Sequence, residues 1–592
     1  MKDVELTLEQ MQLAHHQRAA FVEACPGAGK TLTIAARLGE ITKRLLPRTG
    51  VAFLSFTNSA VEAFIEQCSH SNLNTILKFP NFVGTFDSFL RQFLILPSGI
   101  DGVTECPTVI DSWSTLDIQV RLRGKNAFRG AGVNLDCFDP SDNSITPESV
   151  GHRALQAHVR GHLAAYVQEA SRFRLNLRRS GYLSAADARV EISRRIQNQQ
   201  WAVGLGMALS ARFAEMIVDE AQDCNPLDLK ILAWLRSCGL PVTVVCDPDQ
   251  AIYGFRFGDP ANLREFSAQF ASCDRLPLTG NFRSSKPICA LAATLRARST
   301  PDVAVGPYAN EIHPVQILEY HGRTVPVAVG RKFNRLVEDA GIESRGSILL
   351  GHKRTSALRA SGSTSVSGTQ GSSRVETLAN AIGGFWSSFG SNRAREDALR
   401  TVEKTLLALM GKLQDHELPS RAAERHGINT RWLRRTALQL LMRLPRSCPD
   451  SVEGCKQWLE ALRHQIKQLG LKYPPRVSEA KYFPQPRTSG WHKQLTEPDS
   501  VNLRCSTIHE AKGRQYEAVC VVIPPDTVGF NHTSQLFQAW ETRTDYEGKR
   551  VLYVGLTRAR RILALALPDS FSKRLTSILD NAGVSYVLHS VR

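Results

Sequence analysis

Short apolar runs and longer amphipathic ones alternate along much of this chain. Ala19, Ala20, Phe21 and Val22 predict a strand, and a glycine-rich turn and a helix-forming run to Arg37 follow it. Met216, Ile217 and Val218 predict a second short buried strand, which ends in acidic residues. Strand and helix patterns alternate in this way over residues 1–95 and 205–282, which predicts one parallel α/β body. The segment between them is richer in helical pattern, as in R-A-L-Q-A-H-V-R-G-H-L-A-A-Y-V-Q-E at 153–169. Further on, S-G-S-T-S-V-S-G-T-Q-G-S-S at 361–373 reads as a flexible linker. Helical periodicity then returns: Leu399, Val402, Leu406, Leu409 and Leu413 fall on one face, and Trp432 to Leu444 and Trp458 to Leu469 predict further helices.

Composition narrows the partners. With 592 residues, 42% of them hydrophobic, the chain can bury several cores, and its length suggests roughly three to five domains. The formal net charge is +17, with the excess largely arginine, and this favours a polyanion, nucleic acid above all. The 13 cysteines include no C-x-x-C and no paired Cys/His spacing, so neither a zinc site nor a disulfide framework is expected. The stretch M-K-D-V-E-L-T-L-E-Q is not a signal peptide, and no apolar run approaches membrane-spanning length. The expectation is a reducing cytoplasm and no membrane partner.

The first chemistry lies in F-V-E-A-C-P-G-A-G-K-T at 21–31. Glycines let backbone N–H groups wrap an oxyanion, and a helix N-terminus adds partial positive charge. Ala24, Cys25, Pro26, Gly27, Ala28 and Gly29 would form a phosphate cradle. Lys30 would reach the β- and γ-phosphates of ATP, and Thr31 would ligate Mg²⁺. Ala24 stands where the strict G-x-x-x-x-G-K-T pattern has its first glycine. The second chemistry is M-I-V-D-E-A-Q-D at 216–223. A strand-end Asp219 can hold the metal, and Glu220 can orient and deprotonate the attacking water. Together the two stretches describe a P-loop NTPase.

D-E-A-Q-D resembles a box of the UvrD/Rep/PcrA-type superfamily 1 DNA helicases, and other boxes follow in family order. L-T-L-E-Q (6–10) resembles the Q motif, which implies that Gln10 reads the adenine edge. F-L-S-F-T-N-S-A-V-E (53–62) and V-G-T-F-D-S-F (83–89) resemble segments that touch single-stranded DNA, with Asp87 where the family has His. V-V-C-D-P-D-Q-A-I-Y-G-F-R (244–256), N-F-R-S-S (281–285) and R-V-L-Y-V-G-L-T-R-A-R (550–560) resemble three more. The resemblance implies two RecA-like parallel-sheet bodies, each with a mainly helical insertion. These would be 1A at 1–95 and 205–282, 1B at 96–204, 2A at 283–355 and 500–592, and a linker plus reduced 2B at 356–499. It implies Gln250 as γ-phosphate sensor, Arg283 and Arg558 as arginines reaching the phosphates from the second body, and Phe282 stacked on adenine.

For DNA the resemblance implies aromatic platforms at Phe56, Phe86, Tyr253 and Phe255, with Thr57, Asn58 and Thr85 on phosphate or sugar. S-T-I-H-E-A-K-G-R-Q-Y-E-A-V (506–519) resembles the box T-x-H-x-x-K-G-L-E-F. That implies Thr507 and His509 on the DNA side, Lys512 and Gly513 in the turn, and Gln515 at the ribose in place of the family's Glu. S-R-F-R-L-N-L-R-R (171–179) reads either as a nucleic-acid grip or as a solvated helix face. Only a few dozen residues follow Arg558, so no C-terminal nuclease domain is expected. The layout is similar to stand-alone UvrD-like proteins of bacterial defence systems such as Gabija. The expected activity is an ATP- and Mg²⁺-dependent 3′–5′ translocase or helicase on single-stranded DNA and duplex junctions. A nucleotide-gated, non-unwinding subunit of a nuclease or defence complex is the alternative, with a separate nuclease protein as partner; an RNA helicase is a third reading.

Overall fold

The computed structural model describes residues 5–591 apart from 105, 117, 125–126, 129–131, 152, 253–259, 297–301, 363–372, 387–391, 415–416, 450, 487–490, 493–494, 496–502 and 527–530. Tyr253, Phe255 and most of the 361–373 linker therefore lie outside the described residues. The chain forms two compact units. Unit 1 comprises Met1–Ser284 with Thr300–Asn310, and unit 2 comprises Ser285–Ser299 with Glu311–Arg592. The expected boundary at 282/283 is thus displaced: Arg283 and the 300–310 segment go with unit 1.

The sheet of unit 1 has six strands: β1 (Phe21–Ala24), β2 (Gly50–Ser55), β3 (Phe82–Thr85), β4 (Phe213–Val218), β5 (Val242–Cys246) and β6 (Arg275–Leu278). They lie in the order β6-β1-β5-β4-β2-β3 with every pairing parallel. Parallel strands covered on both faces read as continuous apolar runs, and β2 and β5 are buried at every position. Because all six strands run the same way, the loops after β1, β5 and β4 leave side by side from one edge. The loops after β2 and β3 leave from the same edge further along. Ligands of open α/β sheets bind at this carboxyl edge.

The helices follow from ordinary caps. Thr7 and Gln10 form a capping box for α1 (Leu8–His15), and Gly29 precedes α2 (Lys30–Thr42). Thr57 caps α3 (Asn58–His70), Ser184 caps α4 (Ala185–Arg195), and Asn225 with Asp228 boxes α5 (Pro226–Ser237). Residues 96–204 are less purely helical than expected. Two small two-stranded sheets join Thr108–Ile110 to Tyr182–Ser184 and Gln119–Val120 to Val133–Asn134. Three of the four arginines of 171–179 make ion pairs within the fold: Arg172 with Glu169, Arg174 with Asp187, and Arg178 with Glu191.

Unit 2 repeats the architecture with β7 (Val315–Tyr320), β8 (Ser347–Gly351), β9 (Arg504–Thr507), β10 (Tyr516–Val522), β11 (Ala559–Pro568) and β12 (Tyr586–Val591). Their order is β9-β8-β10-β11-β7-β12, again all parallel. The fold is therefore α/β with two RecA-like parallel sheets. Between β8 and β9 the chain builds a separate helical core from α6 (Arg374–Trp386), α7 (Asn392–Leu409), α8 (Pro419–Arg425), α9 (Thr430–Arg443) and α10 (Val452–Gln468). No disulfide joins any of the thirteen cysteines. Among the described residues, no helix is long and apolar enough to cross a membrane.

One buried ion pair secures the base of unit 1. Arg37 of α2 meets Glu215 of β4 through two parallel hydrogen bonds of 2.9 and 3.0 Å. The same guanidinium donates to the carbonyls of Leu13, His16 and Arg18, at 2.8, 2.7 and 2.8 Å. Both side chains are nearly inaccessible, at 2% and 6%, so removing one partner strands a buried charge. Arg37→Met should destabilise unit 1 by about 3–5 kcal/mol in chemical denaturation. Glu215→Gln strands the buried Arg37 charge in turn and should cost a comparable amount. A near-neutral Glu215→Gln variant would contradict a charge-based role.

Candidate functional site: a phosphate cradle and its acids

The cradle begins where β1 ends. Gly27 and Gly29 both adopt left-handed backbone, at φ +74° and +73°, which other residues reach only at a cost. Space forbids a side chain as well. A Cβ on Gly27 would lie 2.5 Å from the Arg283 Cβ and 2.9 Å from the Asn281 Oδ1, and one on Gly29 would lie 2.6 Å from the Gln10 Nε2. The loop is held from three sides. The Cys25 N–H donates to the Leu278 carbonyl at 2.9 Å and the Phe282 N–H to the Gly27 carbonyl at 2.9 Å. Gln10 Nε2 donates to the Ala28 carbonyl at 3.0 Å, while its Oε1 accepts from the Thr7 N–H at 3.0 Å. Gln10 is thus buried and braces the cradle from α1, with the Phe282 ring close to Gly29.

The acids arrive from the neighbouring strand ends. Asp219 follows β4, and its N–H is held by the Leu54 carbonyl at 2.8 Å. Glu220 is non-glycine in the left-handed region, at φ 56° and ψ 37°. That conformation costs about 1–3 kcal/mol and is characteristic of functional sites. It is stabilised locally: the Glu220 N–H donates to Asp219 Oδ1 at 2.9 Å, and Gln222 Nε2 donates to the Glu220 carboxylate. Gln222 Oε1 accepts the Asp247 N–H at 3.0 Å, and Gln250 Nε2 donates to Asp247 Oδ2 at 2.9 Å. Asp247 is fully buried at the end of β5. Its place in the site was missed from sequence, although D-P-D-Q carries the signal, as were the roles of Asn281 and Gln222. The Asn281 Oδ1 accepts the backbone N–H groups of Arg283 and Ser284, at 2.9 Å each.

Electrostatics bind these pieces into one site. Burial pulls the Lys30 ammonium down, but Glu220, Asp219 and Asp247 together prevail and hold it above its ordinary value. Arg283 opposes them, which places its guanidinium within reach of the same field. Burial, and then the Glu220 charge, push the Asp219 carboxyl up, with Lys30 pulling it back. The Thr31 hydroxyl and the Asp219 carboxylate are hard oxygen donors of the kind Mg²⁺ takes. Among the described residues, no three His, Cys, Asp or Glu side chains gather into a metal cage. Magnesium bound mainly by phosphates and water needs one or two protein ligands, so these residues fit it.

The carboxyl edge continues past the acids to β2 and β3. Thr57 and Thr85 accept N–H bonds from Ala60 and Ser88, at 3.2 and 3.1 Å, and so serve as helix caps. Asn58 is exposed and Phe56 half-buried. Phe86 corrects the expectation of a DNA platform: it is 1% exposed, sits in the core, and stacks beneath Phe56 with centroids 5.2 Å apart. Asp87 is compensated by Arg189 of α4, whose guanidinium lies 2.7 Å from it and 2.6 Å from Asp228 of α5.

In unit 2 the sequence-predicted residues divide between the two edges of the sheet. Thr507 ends β9 at the carboxyl edge, where His509 faces His352 across 5.9 Å and His352 stacks on His532 at 4.6 Å. Burial, followed by the two neighbouring histidines, holds His352 down to about 4, so it is neutral at physiological pH. Gln515 and Arg558 lie instead at the amino edge. The Tyr516 N–H donates to the Arg558 carbonyl at 2.9 Å, and buried Arg558 donates to the Val554 and Arg514 carbonyls at 3.1 and 3.2 Å. Lys512 is buried and Gly513 takes φ +83° between them.

With this geometry established, known proteins give a consistent match. Residues 137–271 match the UvrD/REP helicase N-terminal domain family. The chain is 24% identical to the ATP-dependent DNA helicase srs2 of Schizosaccharomyces pombe, over 49% of this chain and 34% of that protein. It is 26% identical to the ATP-dependent DNA helicase UvrD2 of Mycobacterium tuberculosis, over 60% of this chain and 47% of that one. It is 23% identical to a probable DNA helicase II homolog of Rickettsia felis, over 48% and 44%. The chain spans less than half the length of these curated relatives. With the P-loop, the strand-end acids and two RecA-like sheets in place, the chain is similar to the UvrD-like superfamily 1 helicases.

Proposed function

We propose that the chain is a DNA-dependent ATPase that moves along single-stranded DNA with 3′–5′ polarity and separates duplex at junctions. The observation that carries this reading is the convergence of Lys30, Asp219, Glu220, Asp247 and Gln250 on one glycine-bounded cradle. Lys30 and the first amides of α2 bind the β- and γ-phosphates, while Thr31 and Asp219 hold Mg²⁺, which supplies charge neutralisation on the phosphate oxygens when bound. Glu220, aimed by its strained backbone and by Gln222, orients the attacking water and takes its proton. Gln250, fixed through Asp247, senses the γ-phosphate. Phe282 packs the adenine, and Arg283 adds positive charge beside Lys30.

DNA lies along the β2–β3 part of the same edge. Phe56 offers the ring, Phe86 supports it from below, and Thr57, Asn58 and Thr85 line the backbone. Within unit 2, Thr507 and His509 are the residues proposed for DNA, Gln515 for a ribose hydroxyl and Arg558 for a phosphate. The net charge of +17 makes DNA binding fall steeply with salt.

Lys30→Ala and Glu220→Gln should each reduce DNA-stimulated ATP hydrolysis by roughly 10²-fold or more, with single-stranded DNA binding retained; hydrolysis kept in both variants would contradict the mechanism. Strand displacement should proceed from 3′-tailed and not from 5′-tailed duplexes, which a gel assay with the two substrates decides. Gln515→Glu should sharpen the preference for ATP over dATP, and an unchanged ratio would exclude the ribose contact.

A further inference from the structure

The helical core of unit 2 contains a second motif with its own logic. Helix α8 is short, and four residues, His426 to Asn429, separate it from α9. Gly427 takes φ +60°, and the Gly427 and Ile428 N–H groups close α8 on the carbonyls of Glu424 and Ala423, at 3.0 and 2.7 Å. Asn429 Oδ1 then starts α9, accepting the N–H groups of Arg431 and Trp432 at 2.9 and 3.2 Å. Ala422 and Ala423 are fully buried, which lets α8 approach its neighbours closely. Ile428, Leu433, Ala437 and Leu440 lock α9 into the same core, and α7 packs against both helices. A small residue, a left-handed glycine four positions on and an apolar residue six beyond that give two helices joined by a tight turn on a third.

The outward face of α9 is unlike its buried one. Arg431, Arg435, Leu438 and Met442 recur at positions i, i+4, i+7 and i+11, and all are exposed. Arg434 stands beside them, held by Glu396 of α7 and 4.0 Å from Glu403. Ser420 and Glu424 of α8 line a surface groove that ends at Asn429–Arg431. The exposed stripe carries no aromatic residue, so it lacks the stacking platforms that single strands require. A bare α-helix with arginines in its first two turns instead matches the width of the DNA major groove.

We propose that α8 and α9 form a helix-turn-helix that reads base edges of duplex DNA. Arg431 and Arg435 direct their forks at guanine O6 and N7, Leu438 meets thymine methyl groups, and Arg434 is braced by α7. This gives the chain a preferred duplex sequence, independent of nucleotide binding. The test is selection from a random duplex library at physiological ionic strength, without nucleotide, using the full chain and its Lys30→Ala variant. Both should enrich the same guanine-containing sequence. The Arg431→Lys/Arg435→Lys double variant keeps the charge but loses the forks. Its preference over a scrambled duplex should fall roughly 5- to 150-fold, with single-stranded DNA binding unchanged. Binding without an enriched sequence, or an enrichment that survives the lysine variant, overturns the proposal. So does equal binding of double-stranded RNA, whose deep, narrow major groove excludes a helix. Because the Lys30→Ala chain carries the same expectation, the outcome is separable from the fate of the ATPase reading.

Discussion

One ammonium among three carboxylates governs unit 1. Lys30 stands close enough to Glu220, Asp219 and Asp247 to be held charged despite burial; two of these acids follow β4 and the third follows β5. That arrangement exists because β1, β5 and β4 are parallel neighbours, so their carboxyl ends meet. The acids have Lys30 as counter-charge within a site whose backbone is bent to receive an anion. A triphosphate bound as proposed would enter a field already organised for it, with little rearrangement left to drive.

The same sheet links this field to the residues proposed to meet DNA. Arg189 is central to that link, although it belongs to neither set. It joins Asp87, at the end of the β3 loop, to Asp228 in the first turn of α5, a helix that starts three residues after Asp223. Burial pulls its guanidinium down, but the two aspartates outweigh that and hold it firmly charged. The Phe86–Asp87 turn is thus tied by charge to the N-terminus of α5, the helix that follows the segment carrying Asp219 and Glu220. In unit 2 the stretch from Thr507 to Gln515 passes from the carboxyl edge of the sheet to its amino edge within a few residues.

Much of this was legible in the chain, for identifiable reasons. The cradle and the strand-end acids are local in sequence, and their spacing is dictated by the ligand they suit. Central parallel strands are continuous apolar runs, so the first sheet could be read from hydropathy, while the second was reached through the family resemblance. What escaped was non-local. No sequence pattern shows that Arg37 and Glu215 meet or that Arg189 answers Asp87. Phe86 was misread because an aromatic after a strand looks alike as core or platform, and only its burial beneath Phe56 decides. Arg283 was placed on the wrong side of the unit boundary because that boundary falls inside its own box, just after Ser284.

The most direct measurement is the steady-state rate of phosphate release from ATP and Mg²⁺, with and without a single-stranded DNA oligonucleotide, and with RNA of the same sequence. The account predicts slow release alone, a steep rise with DNA and little response to RNA. Hydrolysis that is absent under all conditions, or that is indifferent to single-stranded DNA, would contradict it.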